Sequence, residues 1–393
     1  MTPSARLQAA IDIVDQVIFA ASAGGAAADT LIARYFKARR YAGSKDRRAV
    51  RELAYAAMRR AGEVPASGRA ALLGLAQDRP ELLDLFDGAP HCPAPITAQD
   101  VPAPAGIAPA WLIDQLRATL DADELPALLA RAPLDLRVNR LKATREEMMA
   151  ALPDAVAGSL SPDALRLPEG TNVEALPAFA AGKIEIQDEG SQLIAAACGA
   201  AEGMVVVDLC AGAGGKTLAL AAAMDGQGQL IACDVDRQRL SRLPPRAERA
   251  GADMIELRLL NGSREREGLS DLKGLADVVL IDAPCSGMGT WRRNPESRWR
   301  LTPPRLDRLR ATQADVLKIG AALVKPGGRL VYAVCSLLDG EGRDQMDRFL
   351  GAHPGWEVQD PLRAGRPHGA GRRLTPAHDG TDGFFIAVLR APC

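Results

Sequence analysis

Apolar residues recur at helical spacing through the first 90 residues of the chain. Such spacing places the apolar side chains along one face of each helix, where they can pack into a shared core. The recurring positions are Leu7, Ile11, Val14, Val17 and Ile18, then Leu31, Tyr35 and Phe36, and then Val50, Leu53, Ala54, Ala57 and Met58. The pattern predicts an all-helical domain over residues 1–90.

The pattern changes twice before residue 190. Proline and small residues accumulate in GAPHCPAPITAQDVPAPAGIAP (88–109), which is typical of a linker, and we place the linker at residues 91–109. From residue 110, helical stretches alternate with strand-like runs, of which LDLRVNRLK (134–142) is the clearest. These runs predict a small α+β domain over residues 110–190.

Residues 191–393 alternate between short apolar runs and longer amphipathic stretches. The predicted strands are 205–209, 230–233, 255–259, 278–281, 329–334, 356–358 and 384–389. The main predicted helices between them are 216–224, 236–249, 304–324 and 342–350. This alternation predicts a doubly wound α/β domain of the Rossmann-like type with a largely parallel sheet.

Charge is unevenly distributed along a chain whose net charge is only −1. Residues 34–60 carry ten Lys or Arg against Asp46 and Glu52, and residues 291–310 carry seven Arg against Glu296 and Asp307. Two basic segments in a neutral chain indicate a polyanion partner, although solvated helix faces would give the same pattern.

The seven cysteines are widely spaced and include no CxxC pair. This spacing argues against a zinc site and against a disulfide framework, and favours a reducing cytoplasm. The chain also has no apolar run of 18 residues and no secretory signal pattern at its start. We therefore expect a cytoplasmic protein with no metal and no membrane partner, and we expect it to be a monomer.

A glycine-rich turn follows the first strand of the α/β domain, in VVVDLCAGAGGKT (205–217). A phosphate-binding P-loop would need Gly where Cys210 stands, and a dinucleotide fingerprint would need Gly where Thr217 stands. A loop for S-adenosylmethionine is the third interpretation. It is favoured because the next strand ends in Asp234, a carboxylate suited to two ribose hydroxyls.

Reactive side chains follow two later strands. LIDAPCSGMGTW (280–291) runs out into Asp282 and Cys285, and LVYAVCSLL (330–338) runs out into Cys335. Because the chemistry of open α/β sheets gathers at the carboxyl ends of strands, we expect these three groups in one site. The alternative is that both cysteines are small buried hydrophobic residues.

Two thiols beside an S-adenosylmethionine loop indicate methylation of a carbon that is not nucleophilic by itself, such as C5 of a pyrimidine. Addition of a thiolate to C6 activates C5, and a base must later remove the C5 proton so that the thiolate can leave. An acid at N3 would absorb the charge that develops on addition, and Asp282 is the candidate.

These motifs resemble the Sun family of RNA cytosine-C5 methyltransferases, and within it the bacterial ribosomal-RNA branch. The resemblance rests on DLCAGAGGKT, DAPCSGMGTWRRNPESRW and VCSLLDGE, with LRVNRLK and QDEGSQL upstream and TPAHDGTDGFFIAVLR at the end. It implies a class I methyltransferase domain that binds S-adenosyl-L-methionine and forms 5-methylcytosine in RNA.

The resemblance also implies residue roles. Cys335 matches the nucleophile, Cys285 the residue needed for product release, and Asp282 the aspartate near the base and the cofactor. The implied cofactor-binding residues are Cys210, Ala211, Gly212, Ala213, Gly214, Gly215, Lys216, Asp234, Asn261 and Asp282. The chain departs from the family pattern at Val334, which replaces Thr, at Ala213, which replaces Pro, and at Asn261, which replaces an acid.

The helical N-terminal region is similar to the NusB-like RNA-binding domain of the ribosomal branch, above all in YAGSKDRRAVRELAYAAMRR (41–60). The residues 110–190 resemble the family's RNA-recognition-like extension. The residues expected to contact RNA phosphates are Arg47, Arg48, Arg137, Arg140, Lys142, Arg292, Arg293 and Arg298.

Small-subunit ribosomal RNA is the expected substrate. Two alternatives stay open: the same chemistry on transfer RNA, and an RNA-binding assembly factor without catalytic activity. The NusB-like region weighs against the first, and the intact Asp282, Cys285 and Cys335 weigh against the second.

Overall fold

The computed structural model describes all residues, 1–393, and its contacts divide the chain into two compact units. The first, the helical unit, comprises Met1–Arg131 and Thr290–Pro303, and the second, the sheet unit, comprises Ala132–Gly289 and Pro304–Cys393. None of the helices combines the length and apolarity that a membrane span requires. The finer domain boundaries at residues 90, 109 and 190 stay predictions.

The helical unit has one apolar core. Its helices are α1 (Pro3–Ala23), α2 (Ala28–Lys37), α3 (Ser44–Arg60), α4 (Gly68–Asp78) and α5 (Ala110–Arg117). The Thr2 and Ser67 side chains cap the first turns of α1 and α4, and Gly24 ends α1 in the left-handed conformation. Most of the recurring apolar residues of the first 60 positions are buried together in this core. Their helical spacing in the sequence follows from this burial, since each helix turns one apolar face to the core.

Residues 88–109 contain no helix or strand and run along the helical unit. The Ala103 amide donates to the Ala70 carbonyl and the Gly106 amide donates to the Arg60 carbonyl. The side chains of Ala103 and Ala108 are buried. The segment is therefore extended, but it is tied to the helices by backbone hydrogen bonds.

The segment Thr290–Pro303 packs within the helical unit although it is far away in sequence. Trp299 is buried in the helical core, and its indole Nε1 donates to the Ala61 carbonyl at 3.0 Å. The Arg298 guanidinium, 0% exposed, donates to the carbonyls of Met58, Arg59, Ala61 and Ile107 at 2.5–2.8 Å.

The prediction that Arg298 contacts RNA is therefore wrong. Both of its terminal nitrogens already donate to backbone carbonyls, and no phosphate could reach a fully buried guanidinium. Arg292 is 5% exposed and does not offer an RNA-facing surface either. Buried charge of this kind is tolerated because the guanidinium is hydrogen-bonded to backbone oxygens.

The sheet unit begins with a small antiparallel sheet. Its strands are β1 (Leu134–Val138), β2 (Val156–Ala157), β3 (Ala164–Leu167) and β4 (Ile184–Ile186), in the order β2-β3-β1-β4. Three helices accompany them, α6 (Arg145–Ala151), α7 (Pro177–Ala180) and α8 (Glu189–Ala197). A capping box of Thr144 and Glu147 starts α6.

One predicted RNA contact on this sheet is also wrong. Arg137 lies on β1 and is 3% exposed, and its Nε donates to the Gln187 side chain at 2.7 Å. Alternation along β1 explains the error, because a strand turns successive side chains to opposite faces and both faces of β1 are covered here.

A nine-stranded sheet forms the rest of the sheet unit. Its strands are β5 (Val205–Asp208), β6 (Gln229–Asp234), β7 (Ile255–Leu259), β8 (Ala276–Asp282), β9 (Val324–Val334), β10 (Glu357–Gln359), β11 (Arg366–His368), β12 (Gly371–Leu374) and β13 (Phe384–Arg390). The helices are α9 (Gly215–Ala223), α10 (Arg237–Leu240), α11 (Leu243–Ala250), α12 (Pro303–Leu323), α13 (Arg343–Ala352) and α14 (Pro376–Asp379).

The strand order β11-β12-β13-β9-β8-β5-β6-β7 places the predicted site. Strands β5 to β9 pair in parallel, whereas β10 to β13 pair antiparallel at the other side of the sheet. The chain moves outward from β5 to β7 and then returns to place β8 on the opposite side of β5. This reversal opens a crevice at the carboxyl ends of β5 and β8, where ligands of such sheets bind.

The structure differs from the prediction at one helix and adds one hairpin. The single helix expected over residues 236–249 is two helices, because Pro244 and Pro245 lie in the first turn of α11 and cannot continue a helix from α10. The hairpin of β11 and β12 was not predicted, since strands of three and four residues with charged side chains show no apolar alternation.

We expect Arg298→Ala to lower the free energy of unfolding of the protein by about 3 kcal/mol or more, because several buried backbone carbonyls lose their hydrogen-bond donor. Chemical denaturation followed by circular dichroism measures the change. Arg48→Ala, at an exposed position of α3, is the control and should change stability by less than about 0.5 kcal/mol. Equal stabilities of the two variants would contradict this structural role for Arg298.

Candidate active site

The glycine loop after β5 includes a left-handed backbone conformation that favours glycine over residues with a side chain. Gly214 has a φ of +84°, and a Cβ there would lie 2.1 Å from the Leu243 side chain. Gly215 begins α9, and a Cβ there would meet no atom within 4 Å. The loop therefore leaves open space directly over the N-terminus of α9, where backbone amides favour a negatively charged group.

Asp234 closes one side of this space. It ends β6 and is 6% exposed, its Oδ2 accepts a hydrogen bond from the Gly212 amide at 2.7 Å, and its Oδ1 accepts one from the Asp236 amide at 2.7 Å. Each carboxylate oxygen retains a further acceptor site. Asp234 is thus oriented by the backbone and can still accept two hydroxyl groups.

The other predicted cofactor residues lie on the same loop, except Asp282, which ends β8, and Asn261. Cys210 and Ala211 continue from β5, and the Ala211 amide donates to the Cys233 carbonyl at 2.9 Å. The Ala213 carbonyl accepts from Arg246 Nη1 at 2.6 Å. Asn261 lies beyond β7 and is exposed, so its part in cofactor binding stays a prediction.

Asp208 is a buried carboxyl group at the base of the loop. Its Oδ2 accepts a hydrogen bond from the Thr217 hydroxyl at 2.6 Å, whereas its Oδ1 has no hydrogen-bond partner. Burial raises the pKa of Asp208 from 3.8 to about 7, and the Thr217 hydrogen bond opposes this shift only in part. The carboxyl group therefore retains its proton in mildly acidic solution.

Lys216 connects the glycine loop to Asp282. Its Nζ donates to Asp282 Oδ2 at 2.6 Å. Burial alone would lower the pKa of Lys216, but the Asp282 carboxylate outweighs this and the pKa is raised. Lys216 therefore carries its positive charge at neutral pH, next to the carboxylate that was predicted to face the target base.

The two predicted cysteines lie side by side. Parallel pairing of β8 with β9 sets Asp282 beside Ala333, so the chain segments that follow both strands leave the sheet together. Cys285 Sγ and Cys335 Sγ are 3.3 Å apart, and both residues are only partly buried. The Gly289 amide donates to the Cys335 carbonyl at 3.0 Å and closes the first segment onto the second.

The surroundings of Cys285 affect its protonation. Contact with the Cys335 sulfur, followed by burial and the negative charge of Glu341, raises the pKa of Cys285 well above its ordinary value of 9. Cys285 is therefore a protonated thiol at neutral pH. The interpretation of both cysteines as ordinary core residues is disfavoured by this close, partly exposed pair.

Sequence analysis missed one group at this site. Glu341, which is 0% exposed, accepts hydrogen bonds from Ser286 and Ser336, the residues that directly follow the two cysteines. The available signal was the repeated Cys-Ser pair after two strands, together with an acidic residue a short distance beyond the second pair.

The remaining predicted RNA contacts lie at several places. Arg47 and Arg48 are exposed on α3, and Arg140 is exposed after β1. Lys142 is exposed, but its Nζ donates to the carbonyls of Arg249 and Ala181 at 2.6 and 3.3 Å. Arg293 is partly exposed in the segment 290–303. Their contacts with RNA stay predictions.

We expect the stability of the protein to fall as the pH rises from about 4 to 7, through Asp208. In this window the folded chain retains a proton that the unfolded chain has released, so the free energy of unfolding decreases by up to about 1.4 kcal/mol per pH unit. Asp208→Asn can still accept from Thr217 but cannot titrate. Denaturant titrations at several pH values should show a shallower slope for this variant, and identical slopes would contradict the raised pKa.

Comparison with known proteins shows the family and the fold of the chain. Residues 196–390 match the family model described as 16S rRNA methyltransferase RsmB/F, and residues 108–174 match the ferredoxin-like domain described for RsmF/B-like methyltransferases. The chain is 36% identical over 300 residues to the probable ribosomal RNA small subunit methyltransferase B of Synechocystis sp.. That alignment covers 72% of this chain and 66% of the relative, so the chain matches about two thirds of the relative's length.

Solved structures are similar over most of the chain. The crystal structure of PH0851 has a TM-score of 0.79 at 25% identity and covers 99% of both chains. A methyltransferase homolog from Pyrococcus horikoshii has a TM-score of 0.62 at 27% identity and covers 72% of this chain and 99% of that one. The predicted helical N-terminal region, small α+β domain and Rossmann-like domain are confirmed, as is the family.

The matched methyltransferase domain contains the glycine loop, Asp234, Asp282 and both cysteines. The chain therefore belongs to the RsmB/F family of S-adenosyl-L-methionine-dependent methyltransferases, the bacterial ribosomal-RNA branch of the Sun family.

Proposed function

We propose that this protein methylates C5 of a cytosine in small-subunit ribosomal RNA through a covalent bond between Cys335 and C6 of the base. The observation that carries the proposal is the pair of thiols, 3.3 Å apart, at the strand ends that also hold Asp282. The choice of ribosomal RNA rests on the relatives, which are named as small-subunit methyltransferases.

The residues of the loop suit S-adenosyl-L-methionine, which supplies an electrophilic methyl group when bound. The open space over Gly215 can accept its amino-acid portion at the α9 N-terminus, and Asp234 can accept the ribose hydroxyls. Asp208 Oδ1, which is buried without a partner, provides a further polar group at the base of the same space.

We assign the nucleophile to Cys335, as the family resemblance implies. The raised pKa of Cys285 keeps that residue protonated, and the buried ammonium of Lys216 interacts favourably with a negative charge on Cys335. The Cys335 thiolate adds to C6, the C6–S bond forms, and the displaced electron pair moves into the ring toward N3. The pair of Lys216 and Asp282 lies where this charge can be stabilised.

Release of the product reverses the addition. Once C5 carries the methyl group, which the bound donor would supply as its S–CH3 bond breaks, a base removes the proton from C5, the electron pair re-forms the C5–C6 double bond, and the C6–S bond breaks so that Cys335 leaves as a thiolate. Cys285 lies next to the bond that breaks, because its sulfur is within 3.3 Å of the Cys335 sulfur. We assign Cys285 to this release step.

We expect Cys335→Ala to abolish methyl transfer while S-adenosyl-L-methionine binding stays within about twofold of the wild type, since the loop is untouched. Transfer of a radiolabelled methyl group to ribosomal RNA measures the first quantity, and isothermal titration calorimetry the second. Cys393→Ala removes an exposed thiol and is the control. If Cys335→Ala transferred the methyl group at the wild-type rate, the covalent mechanism would be wrong.

We expect Cys285→Ala to accumulate enzyme that is covalently bound to RNA, because addition proceeds and release does not. A denaturing gel with labelled RNA shows the adduct as a shifted band that is absent from the double variant with Cys335→Ala. Bisulfite sequencing of RNA from a deletion strain then identifies the cytosine. If the deletion strain lacks a 5-methylcytosine in transfer RNA and not in ribosomal RNA, the substrate is transfer RNA.

The exposed arginines of α3 are the proposed phosphate contacts on the helical unit. We expect the double variant Arg47→Ala and Arg48→Ala to bind RNA more weakly and to reduce the slope of log affinity against log salt by about one to two. Filter binding across a salt series measures both. Arg264→Ala, which removes an exposed arginine paired with Glu267, is the control. An unchanged slope would exclude these two contacts.

A further inference from the structure

One buried carboxylate connects the segments that carry the two thiols. Glu341 Oε1 accepts from the Ser286 amide at 2.8 Å, and Glu341 Oε2 accepts from the hydroxyls of Ser286 and Ser336, each at 2.5 Å. Ser286 follows Cys285 and Ser336 follows Cys335. A single side chain therefore contacts the residue next to each thiol.

The surroundings hold Glu341 in place. Gln313 on α12 donates from its Nε2 to Glu341 Oε1 at 3.0 Å and also to the Pro284 carbonyl at 3.0 Å. The Tyr332 hydroxyl on β9 donates to the Glu341 carbonyl at 2.6 Å. All four contacts of the carboxylate come from donors, which is the arrangement that an ionised carboxylate accepts.

We propose that Glu341 is a positioning residue of the two-thiol site, which holds Cys285 and Cys335 at the separation that addition and release require. This inference rests on the proposed function for its catalytic meaning. The claim that Glu341 fixes the distance between the two sulfur atoms does not depend on the proposed function.

The physical argument is that strand pairing alone does not hold the thiols together. The register of β8 and β9 ends at Asp282 and Ala333, before either cysteine. Beyond it, the segments are connected by backbone bonds from the Ala283 amide to the Ala333 carbonyl and from the Gly289 amide to the Cys335 carbonyl. The side-chain links between the segments are the direct bond from the Ser286 hydroxyl to the Ser336 hydroxyl at 3.1 Å and the contacts of both hydroxyls with Glu341, which also accepts from the Ser286 amide.

Burying an ionised carboxylate is costly unless donors surround it. The charge also acts on the thiols, because its proximity contributes to the raised pKa of Cys285. Glu341 therefore has two separable effects, on spacing through its hydrogen bonds and on protonation through its charge.

The spacing is tested by oxidation with diamide, which takes two electrons and two protons from the two thiols as one S–S bond forms. Peptide mapping measures the rate at which the Cys285–Cys335 disulfide forms. This rate is divided by the rate at which iodoacetamide alkylates Cys335. Because both rates depend on the fraction of thiolate, the ratio does not. We expect this ratio to fall about tenfold or more in the double variant Ser286→Ala and Ser336→Ala. This variant keeps the charge of Glu341 but loses both hydroxyl bonds to it, the direct bond between the two hydroxyls at 3.1 Å and the bond from the Leu338 amide to Ser336.

Glu341→Ala should reduce the ratio at least as much. Glu341→Gln, whose amide oxygen can still accept from both serine hydroxyls, should keep the ratio close to that of the wild type. Glu189→Gln is the matched control, since Glu189 is a buried carboxylate of the same unit that accepts from the amides of Leu160 and Ser161. If Glu341→Ala does not fold, the serine double variant decides. A ratio within about threefold of the wild type in a folded serine double variant overturns the proposal.

The charge is tested separately by the pH profile of Cys285 alkylation. Glu341→Gln should move the profile to lower pH, because a negative neighbour that opposes the thiolate has been removed. An unmoved profile would remove the electrostatic part of the proposal.

None of these readouts uses RNA or S-adenosyl-L-methionine. A loss of disulfide rate in a protein that makes no 5-methylcytosine would therefore support the positioning role and reject the proposed function. If the protein is active, we expect the serine double variant to lower kcat with little change in KM for RNA.

Discussion

The parallel pairing of β8 with β5 on one side and with β9 on the other determines where the functional groups lie. Because the chain returns across β5 after β7, the segments after β5 and β8 border the same crevice, and β9 brings Cys335 alongside. Parallel strands end at the same edge, so reactive residues that are distant in sequence become neighbours. The lysine of the glycine loop then reaches the aspartate of β8 directly.

Charged side chains serve two different purposes in this protein. Arg298 and Arg137 are buried and donate hydrogen bonds within the fold, whereas Arg47, Arg48 and Arg140 are exposed. A guanidinium can take either role because its planar donors match backbone carbonyls as well as phosphates. A cluster of arginines in the sequence therefore indicates a polyanion partner only where the arginine side chains are exposed.

Buried carboxyl groups show the same division near the site. Asp208 has few donors, so burial raises its pKa and it retains a proton, whereas Asp234 is oriented by two backbone amides. Glu341 is surrounded by donors from two strand ends and a helix. The number of donors around each carboxyl group, more than its depth, distinguishes these three environments.

Sequence by itself determined the helical and doubly wound regions, the glycine loop and the candidate thiols, because apolar periodicity and short motifs are local properties of the chain. It could not show that Thr290–Pro303 packs in the helical unit, that Arg137 and Arg298 are buried, or that Glu341 links Ser286 to Ser336. Those features depend on contacts between residues far apart in sequence, and only the tertiary structure decides which side chains meet and which lose their access to water.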